Sequence, residues 1–360
     1  MTRAFNFSAG PAALPEAVLR QAREELLEWG SARASVMEIS HRGSAFMELA
    51  RESESDLRQL LDIPSSHRVL FMQGGATQHF AQIPMNLARQ NQSADYVISG
   101  AWGEKAFAEA GPHVQARICA SSAAGGFRDV PASTDWKRDA QAAYVHYTTN
   151  ETIHGVQFHE IPDVGTVPLV ADMSSDILSA PIDVSRFGII YAGAQKNIGA
   201  SGLVILIVRD DLLERSPQPI ARIFKYAEHA KADSLFNTPN TFGWYLSALV
   251  FKWLKGEGGL AAMAERNRRK AELLYRTIDE SGFYSNPVNA TARSLMNVPF
   301  FLADAGLDQV FLKEADAENL IGLKGHRVLG GMRASIYNAT PIQAVEVLVD
   351  FMREFERRHG

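Results

Sequence analysis

The chain has 360 residues, 46% of them hydrophobic and 21% charged, ordinary values for a folded protein long enough to form two domains. Its 36 basic and 41 acidic residues leave a formal net charge of -5 with no long basic run to offset it, which argues against a nucleic-acid partner. One cysteine, Cys119, excludes an internal disulfide framework and any multi-cysteine zinc or iron–sulfur site.

The segment Met1–Phe7 lacks the apolar core of a signal peptide, and the run Leu203–Val208 is far too short to span a membrane, so a soluble cytoplasmic protein is expected. Pro15 suits a helix start, with Val18, Ala22, Leu26 and Leu27 as its apolar stripe. A second helix is predicted over Phe46–Leu61, stopped by Pro64. The pattern then alternates. Val69–Met72 reads as a strand, followed by Gly74-Gly75 and a helix from about Ala76; Tyr96–Ser99 is a strand, followed by a short helix through Lys105. Val114–Ile118, Tyr144–Tyr147, Val167–Ala171, Phe187–Tyr191 and Leu203–Val208 are short apolar runs, several without polar alternation, as in strands buried on both faces. Strands interleaved with helices predict an α/β layer with a mostly parallel central sheet.

After Asn237 the pattern changes. Helices are predicted over Phe242–Lys255 and Met263–Ser281, then a strand over Ser294–Phe301, a helix near Leu307–Ala315, a strand over Met332–Tyr337 and a last helix over Pro341–Arg358. Thr340-Pro341-Ile342-Gln343 has the form of a capping box with proline at the first helical position. A large domain, 1–256, and a smaller α+β C-terminal domain, 257–360, are expected.

The chemistry gathers where strands end. Lys196 stands among small residues in Tyr191-Ala192-Gly193-Ala194-Gln195-Lys196-Asn197-Ile198-Gly199, between two apolar runs. It is either a solvent-exposed loop lysine or a pocket lysine that forms a Schiff base or neutralises a phosphate. Asp172 closes another apolar run, and a lysine and an aspartate on neighbouring strand ends can grip a pyridoxal ring. The turn Gln73-Gly74-Gly75-Ala76-Thr77 leaves amides open at a helix N-terminus, a place for a phosphate. Trp102, just past a strand end, is either core filler or a plate for a planar cofactor. Thr152 follows a further strand. His41-Arg42 and His326-Arg327 sit in polar, glycine-containing loops of different domains and can converge on an anion. Dinucleotide, P-loop, HExxH and GxSxG motifs are absent, and the ten histidines lack metal-ligand spacing.

Taken in order, Asn6-Phe7-Ser8-Ala9-Gly10-Pro11-Ala12, Ser40-His41-Arg42, Gln73-Gly74-Gly75-Ala76, Ala101-Trp102, Asn150-Glu151-Thr152, Ala192–Asn197, Phe236–Pro239 and Gly325–Ser335 resemble the motifs of the phosphoserine aminotransferase family, nearly end to end. The resemblance implies the type I aminotransferase fold, pyridoxal 5'-phosphate as cofactor and a homodimer with shared active sites. It makes Lys196 the Schiff-base lysine and Asp172 the partner of the pyridine nitrogen. It has Trp102 stack on the ring, Thr152 bond the ring hydroxyl, and Ala76, Thr77 and Gln195 take the phosphate. Asn237 and Thr238 would reach that phosphate from the other subunit, and His41, Arg42, His326, Arg327 and Arg333 would hold the substrate's anionic groups. Some members carry an arginine near position 77, where this chain has Thr77. The implied reaction exchanges an amino group between O-phospho-L-serine with 2-oxoglutarate and 3-phosphohydroxypyruvate with L-glutamate, and in the pyridoxine pathway yields 4-phosphohydroxy-L-threonine. Rival readings are another enzyme of the same fold type and a non-catalytic α/β protein that binds a phosphorylated metabolite.

Overall fold

A computed structural model describes residues 3–215 and 219–360; Met1 and Thr2, the start of the segment read above for a signal peptide, lie outside the described residues. In chain order the elements are β1 (Phe5–Asn6), α1 (Glu16–Glu24), α2 (Ser44–Leu61), β2 (His67–Gln73), α3 (Ala76–Leu87), β3 (Ser93–Ile98), α4 (Ala101–Ala110), β4 (Gln115–Ser121) and β5 (Val145–Thr148). Then follow β6 (Asn150–Glu151), β7 (Val156–Gln157), β8 (Leu169–Asp172), β9 (Ile189–Gly193), β10 (Leu203–Arg209), α5 (Asp210–Leu213), α6 (Tyr226–Lys231) and α7 (Thr241–Gly256). The chain closes with α8 (Gly259–Glu280), β11 (Tyr284–Ser285), β12 (Asn297–Leu302), α9 (Asp308–Ala317), β13 (Leu320–Ile321), β14 (Met332–Ser335) and α10 (Ile342–His359).

A seven-stranded sheet in the order β2-β10-β9-β8-β5-β3-β4 forms the centre. Along β4-β3-β5-β8-β9 every pairing is parallel, whereas β10 runs antiparallel to both β9 and β2. The reason lies in the connection: β9 and β10 are joined by a short loop, too short for the crossover that parallel neighbours need. That loop carries Lys196. Strand alternation sends Val97, Ala171, Ile190 and Ile205 to the core under α2 and α7, and Tyr96, Val170, Tyr191 and Leu206 to the core under α3 and α4. With both faces covered, the strands read as unbroken apolar runs.

The C-terminal strands β11, β12 and β14 form a separate three-stranded sheet, packed by α9, α10 and the second half of α8 around Leu274, Phe300, Phe311 and Leu348. The first half of α8 belongs instead to the large core, through Leu260 and Met263. The N-terminus also crosses over: β1 pairs in parallel with β13, and Phe7 is buried in the C-terminal core.

Two expected helix ends are corrected. α1 stops at Glu24, so Leu26 and Leu27 lie beyond it and are exposed, Leu27 at 81%. Pro341 is the N-cap of α10 rather than its first helical residue, and the Thr340 hydroxyl is buried without a partner, so no capping box forms. Cys119 is buried inside β4 and donates to the Tyr96 carbonyl; burial pushes its thiol up to about 12, which keeps it inert at neutral pH. Among the described residues no helix is long and apolar enough to cross a membrane.

Candidate active site

Strand ends build the site. β2, β3, β5, β8 and β9 run the same way, so Gly75, Trp102, Thr152, Asp172 and Lys196, each just past or at a strand end, fall on one edge of the sheet. The lysine loop is seated from several sides. The Gln195 carbonyl accepts from the Ala12 amide at 2.9 Å, Asn197 donates to the Ile177 carbonyl at 2.7 Å, and the Asn338 amide donates back to Asn197 at 3.0 Å. Gly10 passes close by, at a φ of 156°, and a Cβ there would stand 3.3 Å from Lys196 Cγ. Lys196 Nζ donates to Thr152 Oγ1 at 2.6 Å and lies 4.9 Å from the Trp102 ring centroid. Burial pulls its amine below the usual lysine range, against the opposing pull of Asp172 and Glu151.

Asp172 ends β8, buried. Its Oδ1 accepts from the Ser174 amide at 2.9 Å and from the Ser174 hydroxyl at 2.5 Å, and that hydroxyl accepts from the Gly193 amide at 3.0 Å. Ser174 therefore ties the aspartate to the end of the strand that leads to Lys196. Burial raises the carboxyl; Lys196 and the Ser174 bonds hold it back. On the same sheet face Tyr191 lies in register with Asp172, and its hydroxyl meets His146 Nε2 at 2.8 Å.

On the same sheet edge α3 opens with Gly75 as an N-cap that offers no side chain, so the amides of its first turn, at Ala76 and Thr77, stay free for an anion. Gly74 needs its left-handed backbone there, with a φ of 107°. The Gln73 side-chain amide donates to the Thr238 carbonyl, which brings the exposed Asn237–Thr238 segment to this edge.

The cations divide into two groups. Arg333, half-buried on β14, donates to the Thr152 carbonyl at 3.4 Å and acts electrostatically on Lys196. Burial lowers its pKa, and among the described residues no carboxylate opposes that shift. His326 is lowered by burial and then by Arg333, Arg327 and Lys105, three cations that favour its neutral ring. Lys105 adds its Nζ 4.4 Å from the Trp102 ring centroid. His41 and Arg42 stand apart, on the loop before α2. Arg42 is exposed at a cavity of about 490 Å³ shared with Met47, Arg51, Asp233 and Trp244.

Three site residues escaped sequence reasoning. Ser174 follows Asp172 at the i+2 spacing of a local carboxylate–hydroxyl turn, a signal that was present. Lys105 lies one helical turn after Trp102, also a legible spacing. Glu151 gave no local sign, because the groups it binds are 48 and 49 residues away.

These residues fit pyridoxal phosphate. A half-buried amine, a buried carboxylate, an indole whose Nε1 has no partner and an open helix N-terminus lie along one edge of the sheet, and a side chain at Gly10 would crowd the lysine.

The comparisons with known proteins agree. The family description "Aminotransferase class-V" matches residues 4–348. A phosphoserine aminotransferase of Stenotrophomonas maltophilia is 58% identical over the full length of both chains, and one of Pseudomonas aeruginosa is 56% identical over 99% of each. Among solved structures, phosphoserine aminotransferase from Bacillus circulans subsp. alkalophilus superposes with a TM-score of 0.98 at 46% identity, covering 99% of each chain. The pyridoxal-phosphate-bound enzyme from Trichomonas vaginalis gives 0.93 at 40% identity, covering 98% of this chain and all of its own. The chain belongs to the pyridoxal-phosphate-dependent class-V aminotransferases, within the phosphoserine aminotransferase family.

Proposed function

We propose that the chain reversibly transfers an amino group between O-phospho-L-serine and 2-oxoglutarate, giving 3-phosphohydroxypyruvate and L-glutamate, and that it also produces 4-phosphohydroxy-L-threonine. The observation that carries the substrate reading is the set of cations grouped around His326: Arg333, Arg327 and Lys105. Arg333 is a half-buried guanidinium beside Lys196, with no carboxylate acting on it among the described residues, and Arg327 and Lys105 are exposed nearby. Several cations gathered on one side of the site favour a substrate with more than one negative charge. An assay of phosphoserine against aspartate and alanine as amino donors to 2-oxoglutarate tests it. Phosphoserine turns over fastest; equal rates with alanine would sink the reading.

When bound, pyridoxal phosphate supplies an aldehyde that takes the amino group and a ring that withdraws electrons from the substrate's α-carbon. Lys196 would hold the cofactor's aldehyde carbon. Its amine, already pulled down by burial, is then a suitable base for the α-carbon proton. Asp172 would face the ring nitrogen, and Ser174 orients it for that task. Trp102 would form the plate, and Thr152 would bond the ring hydroxyl. Ala76, Thr77 and Gln195 would take the phosphate.

For the substrate, Arg333 suits the α-carboxylate that every donor shares, because its planar fork matches a carboxylate. His326, Arg327, His41 and Arg42 suit the distal phosphate or side carboxylate. Arg333→Ala is expected to lower kcat/KM alike for glutamate and phosphoserine. Arg327→Ala is expected to hurt phosphoserine about tenfold more, since the phosphate carries more charge. Equal losses in R327A would overturn this division.

We place His41 and Arg42 in the site of a second copy, and with them Asn237 and Thr238, which are exposed and so open to a partner although the Thr238 carbonyl meets Gln73 of its own chain. A homodimer with shared sites makes a direct prediction. Mixing inactive Arg42→Ala and Lys196→Ala proteins, then unfolding and refolding them together, restores part of the activity, because some hybrid sites carry neither change. No recovery, or a fully active monomer by light scattering, would end this reading. We place the enzyme in the cytoplasm, where a single unpaired thiol is at ease.

A further inference from the structure

We propose that Glu151 is a positioning residue of this active site: its carboxylate clamps the first turn of α4 and so sets the place of Trp102 beside Lys196. The side chain is fully buried. Oε2 accepts from the Trp102 amide at 3.0 Å and Oε1 from the Gly103 amide at 2.8 Å. The helix cannot cap itself, because its N-cap is Gly100. A carboxylate at the positive end of a helix serves in its place.

The slot is built for that carboxylate. A Cβ at Gly100 would stand 2.6 Å from Glu151 Cδ, and one at Gly103 would stand 3.4 Å from Oε1. Glu151 itself is anchored by β6 pairing with β7 and by the Gly155 amide, which donates to its carbonyl at 2.8 Å. The next residue, Thr152, accepts from Lys196. Two successive side chains thus hold the backbone of Trp102 and the amine of Lys196, so a shift in one is carried to the other through a single peptide unit.

The electrostatic setting makes the clamp sensitive near neutrality. Burial raises the Glu151 carboxyl to about 7, against the pull of the two amides and of Lys196, while Asp172 pushes the same way as burial. The groups that face it are therefore the α4 amides, Lys196 from the β9–β10 loop and Asp172 from β8. A protonated carboxyl has an oxygen bearing hydrogen, which one of the two amides then loses as an acceptor. The clamp is complete only when Glu151 is ionised, so it tightens as pH rises through this range.

The inference rests on the reading of Trp102 as the cofactor's plate, and the experiment separates the two. The variants are Glu151→Gln, Gly100→Ala and Trp102→Phe in the full chain, measured without cofactor and after its addition. Trp102 emission is taken as the difference from W102F, since the chain has five tryptophans. We expect E151Q to expose Trp102 to acrylamide quenching and to weaken pyridoxal phosphate binding about tenfold, the scale of one lost charge-assisted bond. The wild-type change in quenching between about pH 6 and pH 8 vanishes in E151Q. G100A, which keeps the carboxylate but displaces it, reproduces the first two effects. Wild-type quenching and affinity in both E151Q and G100A would overturn the clamp, whatever their melting temperatures, because a merely structural cap moves only the latter. Should E151Q not fold, G100A and the wild-type titration decide, and a flat titration would overturn it. Full cofactor affinity in a further Trp102→Ala variant, which unlike W102F keeps no ring to stack, would instead remove the plate reading and leave the quenching arms to judge Glu151.

Discussion

Lys196→Ala abolishes amino transfer and leaves a folded protein. The amine is removed from a loop held by backbone and asparagine contacts that do not involve it: Ala12 to Gln195, Asn197 to Ile177 and Asn338 to Asn197. The fold therefore persists. The electrostatics around it do not. Lys196 holds down the carboxyls of both Asp172 and Glu151, so its loss lets both move further up and take protons more readily at neutral pH. Loss of the general base alone costs about 10² to 10⁴ in rate, and loss of the cofactor's anchor adds to it. Steady-state assay measures the rate. Borohydride treatment of the wild type, followed by peptide mass spectrometry, is expected to leave the pyridoxyl group on Lys196; finding it on Lys225 or Lys231 would refute the assignment.

Asp172→Asn separates function from stability. Asparagine keeps an oxygen for the two Ser174 bonds, so the local turn survives. What it cannot supply is a negative charge for the ring nitrogen, and we expect the rate to fall roughly a hundredfold, the scale of one buried charge-assisted contact. The cofactor-free protein should be as stable as wild type or more so near neutral pH. Burial raises the Asp172 carboxyl above its unfolded value, so the folded state binds that proton more tightly. Stability then falls as pH rises from the ordinary carboxylate range through the raised value, and D172N lacks this contribution. Melting temperatures across that range, with turnover of the cofactor-loaded variant, check both halves. Wild-type turnover in D172N would contradict the role.

The strand ends were legible because a buried strand must be apolar, and a polar residue at its end stands out against the run. Asp172 after Leu169–Ala171 and Lys196 after Ile189–Gly193 are such cases. Direction was not legible: Leu203–Val208 is buried on both faces and reads the same in either sense, so the antiparallel setting of β10 came only with its short connection to β9. β1, β6, β7, β11 and β13 span two residues each, too few for any period to show. Leu26 and Leu27 continued the stripe of α1 on paper, but the helix ends before them and Leu27 stays exposed among the described residues. The anion cluster was legible as residue types, while its grouping depended on how β14 lies against the Thr152 turn.

The crossing of β1 to β13 sets the order in which the molecule can be finished. Synthesis delivers Phe5 and Phe7 first, yet the amide of Phe7 donates to the Ile321 carbonyl and its own carbonyl waits for the Ser335 amide. The Ala9 carbonyl waits for the Tyr337 hydroxyl, 328 residues on. Until the last strands emerge, Phe7 and Ala9 lack these partners, and only the Ala12 amide, on the Gln195 carbonyl, ties the segment around Gly10 to the lysine loop. The reactive loop is therefore fully closed only when the β1 segment has met β13 and β14, and a nascent chain lacking those strands, however well its central sheet has formed, carries an unfinished lysine pocket.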